Sequence, residues 1–153
     1  KEAYPLMVQR FMSLAYPRSE QPPRKLLYPK LVPKEPNRNF KILDINLSVE
    51  ENLLAICPGA EFGGSKQWPS EYYAEVVNVM LGKGWQAWIF GSPNDRTVAE
   101  LIMGKVDKSV RGRCIDLVGK TDLSEATDLL SFASVVLSND SGLTRYILLG
   151  VKT

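Results

Sequence analysis

From about Asn52 onward, short apolar runs alternate with longer amphipathic stretches along the chain. This alternation is typical of βαβ units, in which a helix connects each strand to the next parallel strand. We therefore predict an α/β fold with a Rossmann-like parallel sheet. Strands are predicted at residues 53–57, 85–90, 114–118 and 135–137, with the start of a fifth at Val151. A sheet that ended there would leave an unpaired apolar edge, so we expect the sheet to be truncated in this sequence.

The amphipathic stretches between these runs predict helices that pack against the sheet. The first helix is predicted from about residue 70 to 81, after Pro69, and a short last helix ends near residue 149. The predicted buried positions are Tyr73, Val76, Val77, Met80 and Leu81 in the first helix, Val98, Leu101 and Ile102 in the second, and Ala126, Leu129, Leu130 and Ala133 in the third.

The beginning of the chain has a different composition. Seven of the ten prolines fall in the first 36 residues, and residues 18–38 are basic and lack periodicity, which predicts a linker. Ahead of it, Tyr4, Met7, Phe11 and Leu14 recur at helical spacing and predict an amphipathic helix that needs a surface to cover.

Composition excludes several classes of site. The chain has no histidine, which excludes Ser-His and Cys-His nucleophiles, HExxH zinc sites and imidazole acid–base catalysis. Cys57 and Cys114 lack CxxC spacing, so we interpret both as buried core thiols. A net charge of +2 predicts no nucleic-acid partner. No apolar run approaches the ~20 residues of a membrane span and the sequence does not begin with a signal peptide, which favours a cytoplasmic protein.

Three loops that follow predicted strands carry candidate ligand-binding residues, because ligands of open α/β sheets bind beyond the carboxyl ends of the strands. The loop at residues 58–69 has three glycines and Lys66, which indicates either phosphate binding or a surface loop with a solvated lysine. It matches neither the Walker A nor the GxGxxG spacing. Trp68 is expected to cover the base of this loop.

The other two loops each contain an acidic residue. Asp95 could accept hydrogen bonds from a ribose, or it could only complement the dipole of the next helix. Asp140 and Ser141, with Gly142, could hold an anion or could only cap a helix. Because all three loops lie at one edge of one sheet, their combination predicts a site for an anion and a ribose.

Four segments in order resemble the heptosyltransferase family, glycosyltransferase family 9. They are C-P-G-A-E-F-G-G-S-K-Q-W-P at residues 57–69, F-G-S-P-N-D at 90–95, L-V-G-K-T-D-L at 117–123 and S-N-D-S-G-L at 138–143. The first is most similar to the heptosyltransferase II branch. Y-P-L-M-V-Q-R-F at residues 4–11 is similar to the end of that family's N-terminal domain, so the resemblance covers nearly the whole chain.

The resemblance implies a GT-B fold in which residues 1–40 end the N-terminal domain and form the linker, and residues 41–153 form an incomplete donor-binding domain. It implies inverting transfer of L-glycero-D-manno-heptose from ADP-heptose to the lipopolysaccharide inner core, with no obligatory metal or cofactor. It also implies a cytoplasmic enzyme that associates peripherally with the inner membrane. The acceptor-side base is expected in the N-terminal domain, outside this sequence, so the chain alone is expected to be inactive.

Residue by residue, the resemblance implies that Lys66 contacts the diphosphate, Asp95 the ribose and Thr121 the adenine. It implies that residues 140–142, Asp140, Ser141 and Gly142, hold phosphate and sugar. The chain departs from the family where a histidine usually follows this motif, since Arg145 stands there. A guanidinium at that position is expected to contact a phosphate more strongly than a neutral imidazole.

The residues alone leave two other functional interpretations open. A different GT-B transferase or epimerase would use a UDP- or GDP-sugar. A non-catalytic, flavodoxin-like nucleotide-binding module would share the strand and helix pattern, but it would not predict E-F-G-x-x-K-x-W-P.

Overall fold

The computed structural model describes residues 14, 17, 39–42, 45–48, 52–60 and 67–139. The chain divides into two compact units, residues 1–30 and 31–153, and the elements below belong to the second. The strands are β1 Asn39–Ile42, β2 Ile45–Ser48, β3 Leu53–Cys57, β4 Gln86–Ile89, β5 Cys114–Asp116 and β6 Val135–Ser138. The helices are α1 Ser70–Gly82, α2 Arg96–Lys105 and α3 Leu123–Leu130, with short 3-10 helices at Pro93–Asp95 and Arg111–Arg113.

Strands β3 to β6 form a parallel sheet in the order β5-β4-β3-β6. The chain moves outward from β3 through β4 to β5 and then returns to the other side of β3, so the strand order reverses between β3 and β6. Such a reversal is where open α/β sheets bind their ligands. The predicted α/β fold with a parallel sheet is confirmed.

The central strand β3 is buried on both faces, which explains its uninterrupted apolar sequence. Leu54 and Ile56 join a cluster with α1 and α2 on one face of the sheet. Leu53, Ala55 and Cys57 join a second cluster with α3 on the opposite face. The two-residue period of a strand therefore divides the core into two layers.

The predicted helix faces are largely confirmed, with one error in α2. Leu101 was predicted to be buried, but its side chain is 51% exposed. The buried positions of this segment are Ala99, Ile102 and Val106, which lie three to four residues apart. Leu101 immediately precedes Ile102 and is therefore about 100° around the helix from that stripe.

Three further details refine the predictions. Ala133 lies beyond the end of α3 but packs against the same cluster as that helix. Strand β5 ends at Asp116, whose Oδ1 accepts a hydrogen bond from Val118 N at 2.9 Å and turns the backbone. An antiparallel hairpin of β1 and β2, which pairs Asn39 with Ser48, was not predicted.

None of the helices in the described part of the chain is long and apolar enough to cross a bilayer. The predicted helix ending near residue 149 and the predicted strand at Val151 lie outside the described residues.

Candidate functional site

A cavity of about 950 Å³ opens at the carboxyl edge of the parallel sheet. Its walls come from the loop after β3, the turn after β4 and the connection from β5 to α3. Because parallel strands all end at the same edge, these three connections converge on one space. The volume suits a nucleotide-sized ligand, since small-molecule sites are typically about 300–1,000 Å³.

Asp95 borders this cavity from the turn after β4. Its Oδ2 atom accepts hydrogen bonds from Ser92 N and Ser92 Oγ, both at 2.8 Å. Asp95 therefore stabilises the 3-10 turn Pro93–Asp95, as expected of an acidic residue at the start of a helical segment. Among the described residues, its Oδ1 atom has no hydrogen-bond donor. One oxygen holds the turn, and the other can accept a hydrogen bond from a ligand.

Two glycines make room for the Asp95 carboxyl group. A Cβ atom placed on Gly59 would lie 2.6 Å from Asp95 Oδ1, and one on Gly91 would lie 2.9 Å from Asp95 Cβ. Both distances are shorter than van der Waals contact between the two atoms allows. The lack of a side chain at Gly59 thus lets the Asp95 carboxyl group approach the backbone.

Thr121 also borders the cavity, from the β5–α3 loop, residues 117–122. This loop is attached to its neighbours at several points. Gly119, with φ of +69°, donates its N–H to Gly91 O at 2.9 Å. The Arg96 guanidinium binds the Asp116 carboxylate and the carbonyl of Val118. These contacts fix the backbone just before Thr121.

The β3–α1 loop, residues 58–69, is attached at both of its ends to Asn139, which directly follows β6. Asn139 Nδ2 donates to Pro58 O at 2.8 Å and to Gly59 O at 3.4 Å. Asn139 Oδ1 accepts from Trp68 N at 3.2 Å and from the Tyr73 hydroxyl at 3.0 Å. One buried side chain thus joins the start of the loop, its end and helix α1.

Trp68 and Pro69 have the structural roles that the sequence predicted for them. The Trp68 ring packs edge-on against Tyr73, with ring centroids 5.0 Å apart, and lies 5.5 Å from Tyr72. It closes the loop base while remaining 38% exposed and lining the cavity. The carbonyl of Pro69 accepts the first hydrogen bonds of α1, from Tyr72 N and Tyr73 N.

Burial suppresses the ionisation of three side chains, of which Cys57 borders the cavity. Cys57 lines the cavity but is only 3% exposed, and burial, with the Asp95 carboxylate adding to it, raises the pKa of its thiol to about 12. Burial, as the larger cause, and the electrostatic effect of Cys57, as the smaller one, raise the pKa of the Tyr73 hydroxyl to about 12. Burial likewise raises the pKa of Cys114 to about 12. Both cysteines are buried thiols, as predicted.

The structure therefore brings two predicted site residues, Asp95 and Thr121, to one cavity. The others, Lys66, Asp140, Ser141 and Gly142, lie outside the described residues, as does Arg145. Sequence reasoning missed Asn139 and Arg96 as residues that position the loops. Asn139 stands in the quoted S-N-D-S-G-L segment, which was its only signal.

A parallel sheet of this order, with a nucleotide-sized cavity at its carboxyl edge, defines a Rossmann-like ligand-binding domain. The model of glycosyltransferase family 9 (heptosyltransferase) matches residues 1–145, and the chain belongs to that family.

The similar proteins agree with this assignment. The chain is 36% identical over 148 residues to lipopolysaccharide heptosyltransferase 2 of Salmonella typhimurium, covering 94% of this chain and 42% of that protein. It is 38% identical over 151 residues to lipooligosaccharide heptosyltransferase 2 of Haemophilus ducreyi, covering 94% of this chain and 43% of that protein. It superposes on the structure of Escherichia coli ADP-heptose LPS heptosyltransferase II with a TM-score of 0.84 and 34% identity. The superposition covers 97% of this chain and 46% of that chain. The chain thus spans about two fifths of the length of these curated relatives.

Proposed function

We propose that this chain forms the donor-binding part of a GT-B glycosyltransferase that transfers L-glycero-D-manno-heptose from ADP-heptose to the lipopolysaccharide inner core. The observation that carries the proposal is the convergence of Asp95 and Thr121 on one cavity, in a chain 36% identical to a lipopolysaccharide heptosyltransferase 2. The solved relative at 34% identity is named for ADP-heptose, which supports ADP as the nucleotide.

The proposed donor would lie across the carboxyl edge of the sheet. The Oδ1 atom of Asp95 would accept a hydrogen bond from a ribose hydroxyl, and Thr121 would lie beside the adenine. Lys66 and Arg145 would neutralise the diphosphate, while residues 140–142 would hold phosphate and sugar. Fixed positive charges of this kind stabilise the negative charge that develops on a departing nucleotide diphosphate.

In the proposed reaction, an acceptor hydroxyl attacks the anomeric carbon of the heptose as the bond to the diphosphate breaks, and the configuration inverts. A carboxylate of the other domain would remove the hydroxyl proton, as general bases do. The negative charge that leaves with ADP would be stabilised by Lys66 and backbone N–H groups, so no obligatory metal is included in the proposal. The proposed enzyme works in the cytoplasm, at the inner-membrane face where a lipid-linked acceptor is available, and has no nucleic-acid partner.

Isothermal titration with ADP, and with UDP as the comparison, tests this proposal. We expect ADP to bind and UDP to bind at least about tenfold more weakly, because the pocket must match the base. Lys66→Ala should weaken ADP binding about tenfold, since one charge-assisted contact to phosphate is lost. Lys108→Ala, an exposed lysine that does not border the cavity, is the matched control. Equal affinity for UDP, or no ADP binding by the folded chain, would contradict the proposal.

A further inference from the structure

Asn139 is a buried polar residue, 8% exposed, at the point where β3 and β6 lie side by side. Its amide group contacts three separate parts of the chain: residues 58 and 59, Trp68 and Tyr73. Its backbone N–H also donates to Cys57 O at 3.4 Å. The residue therefore bridges the two neighbouring strands where the order of the sheet reverses.

The chemistry of this position requires an amide. The two backbone carbonyls of Pro58 and Gly59 need a donor, while Trp68 N and the Tyr73 hydroxyl need an acceptor. Asparagine presents both groups on one short side chain, whereas an ionised aspartate has acceptors only. A carboxylate at position 139 would face the carbonyl of Pro58 without a proton between them, at a buried site where such a mismatch is costly.

The contacts of Asn139 close the β3–α1 loop at its base. Pro58 and Gly59 begin this loop and Trp68 lies near its end, and Gln67 Nε2 strengthens the closure by donating to Pro58 O at 3.3 Å. In the sequence, Lys66 directly precedes Gln67 and Asp140 directly follows Asn139. Asn139 therefore holds both ends of the loop whose sequence contains Lys66, and Asp140 is its neighbour in the chain. The proposed function assigns both of these residues to the diphosphate.

From this geometry we propose that Asn139 is a positioning residue for the diphosphate part of the donor site. It holds the start of the β3–α1 loop at residues 58 and 59 and its end at Trp68, and it does not itself contact the ligand because it does not border the cavity. This inference rests on the proposed function and adds a specific division of labour within the site. Binding of the diphosphate depends on Asn139, whereas binding of the nucleoside depends on Asp95 and the β5–α3 loop.

The test compares Asn139→Asp with the wild-type chain, using ADP and adenosine as probes. Titration calorimetry gives the Kd for ADP, and ligand-observed nuclear magnetic resonance gives the weaker Kd for adenosine. We expect the Kd for ADP to rise about tenfold or more, because small displacements of phosphate-binding groups are costly. The Kd for adenosine should stay within about twofold, because Ser92 holds Asp95, while Arg96 and Gly119 hold the β5–α3 loop.

Asn78→Asp is the matched control. Asn78 makes the same kind of amide bridge elsewhere, donating to Lys105 O at 3.1 Å and accepting from Asp107 N at 2.9 Å. This variant should leave the affinities for both probes unchanged. Tyr73→Phe is the milder second variant, because it removes only the hydroxyl that donates to Asn139 Oδ1. It should raise the Kd for ADP about twofold to threefold, and it carries the test if Asn139→Asp does not fold.

The outcomes are distinct. A selective loss of ADP affinity in Asn139→Asp and Tyr73→Phe supports the positioning role. Equal losses for ADP and adenosine would show a general structural role and overturn the inference, while leaving the proposed function in place. Unchanged ADP affinity in both variants would also overturn the inference and leave the proposed function in place. If the wild-type chain binds no ADP, the proposed function fails and the inference fails with it.

Discussion

Two of the loops that border the cavity, the β3–α1 loop and the β5–α3 loop, are held in different ways. The β3–α1 loop depends on the neutral, buried amide of Asn139. The β5–α3 loop depends on the Arg96–Asp116 ion pair, whose side chains are 37% and 18% exposed, and on the backbone bond from Gly119. A buried neutral network is insensitive to salt but tolerates few substitutions, whereas a partly exposed ion pair is screened by salt and contributes less.

The largest effect on stability is expected from Asn139→Asp. At pH 7 the free energy of unfolding should fall by about 3 kcal/mol, because a buried carboxylate would oppose the Pro58 carbonyl and remove its shorter hydrogen bond, leaving Gln67 Nε2 as its donor. Burial should raise the pKa of the introduced carboxyl group in the folded state. The protonated group can donate to Pro58, so the deficit should be smallest below the unfolded pKa of about 4 and grow as pH rises through the folded pKa.

Urea unfolding of wild-type and variant chains between pH 4 and pH 8 measures this difference. Asn78→Asp, which changes a more exposed amide bridge, is the control for the introduced charge. A deficit that does not depend on pH would contradict the assigned direction of the Asn139 hydrogen bonds.

Gly59→Ala should have the next largest effect. The added methyl group would lie 2.6–2.7 Å from the Asp95 carboxyl atoms, so Asp95 or the β3–α1 loop must move. We expect a loss of about 2 kcal/mol in the free energy of unfolding. Gly104→Ala is the matched control, because nothing lies within 4 Å of the added atom in α2. That substitution should stabilise the chain by about 0.5–1 kcal/mol, and a similar change at both positions would contradict the packing of Asp95 on Gly59.

Arg96→Ala should destabilise the chain by about 1 kcal/mol at low salt, since the pair it breaks is partly exposed. In 1 M NaCl the difference in stability from wild type should shrink, because the Debye length falls to about 3 Å at that ionic strength and exposed charges are largely screened. Parallel urea titrations at the two salt concentrations provide the measurement. A loss as large and as insensitive to salt as that of Asn139→Asp would remove the contrast between the two loops.

The smallest effect concerns thiol labelling. Both cysteines should react very slowly with a thiol reagent in the folded chain, because burial raises each pKa to about 12 and the thiolate is the reactive form. Tyr73→Phe loosens the base of the β3–α1 loop, so we expect the labelling of Cys57 to accelerate about twofold to threefold. Cys114, at the start of β5, is the internal control, because the hydrogen bonds between Asn139 and residues 58, 59, 68 and 73 lie on other elements of the chain. Mass spectrometry of the labelled peptides measures the labelling rate of each thiol. Equal acceleration at both thiols would indicate global opening of the fold instead.

The sequence predicted the elements better than the contacts between them. The parallel sheet followed from the alternation of apolar and amphipathic stretches. Asp95 followed from its place in a loop after a predicted strand, and Thr121 followed from the resemblance to the family. Asn139 was missed because its partners at residues 58 and 59 are 80 or more positions away in the chain, and no local pattern encodes such a bridge. Arg96 was missed for a similar reason, since its partners Asp116 and Val118 lie on another connection.

The same limit explains the error at Leu101. Spacing alone identified a helix with apolar residues at positions 98, 101 and 102, but it could not decide which of them faced the sheet. The structure places Ala99 and Ile102 inward, and Leu101 instead borders the cavity.

The most direct test of the central claim is to map ADP binding on the chain by backbone nuclear magnetic resonance. The account predicts that the amide signals of Gly59, Gly91, Ser92 and Thr121 at the carboxyl edge shift most when ADP is added. Signals of Gly84 and Gly112, which do not border the cavity, should stay unchanged. If ADP instead shifted these residues and left the carboxyl edge unaffected, the assignment of this cavity as the donor site would be contradicted.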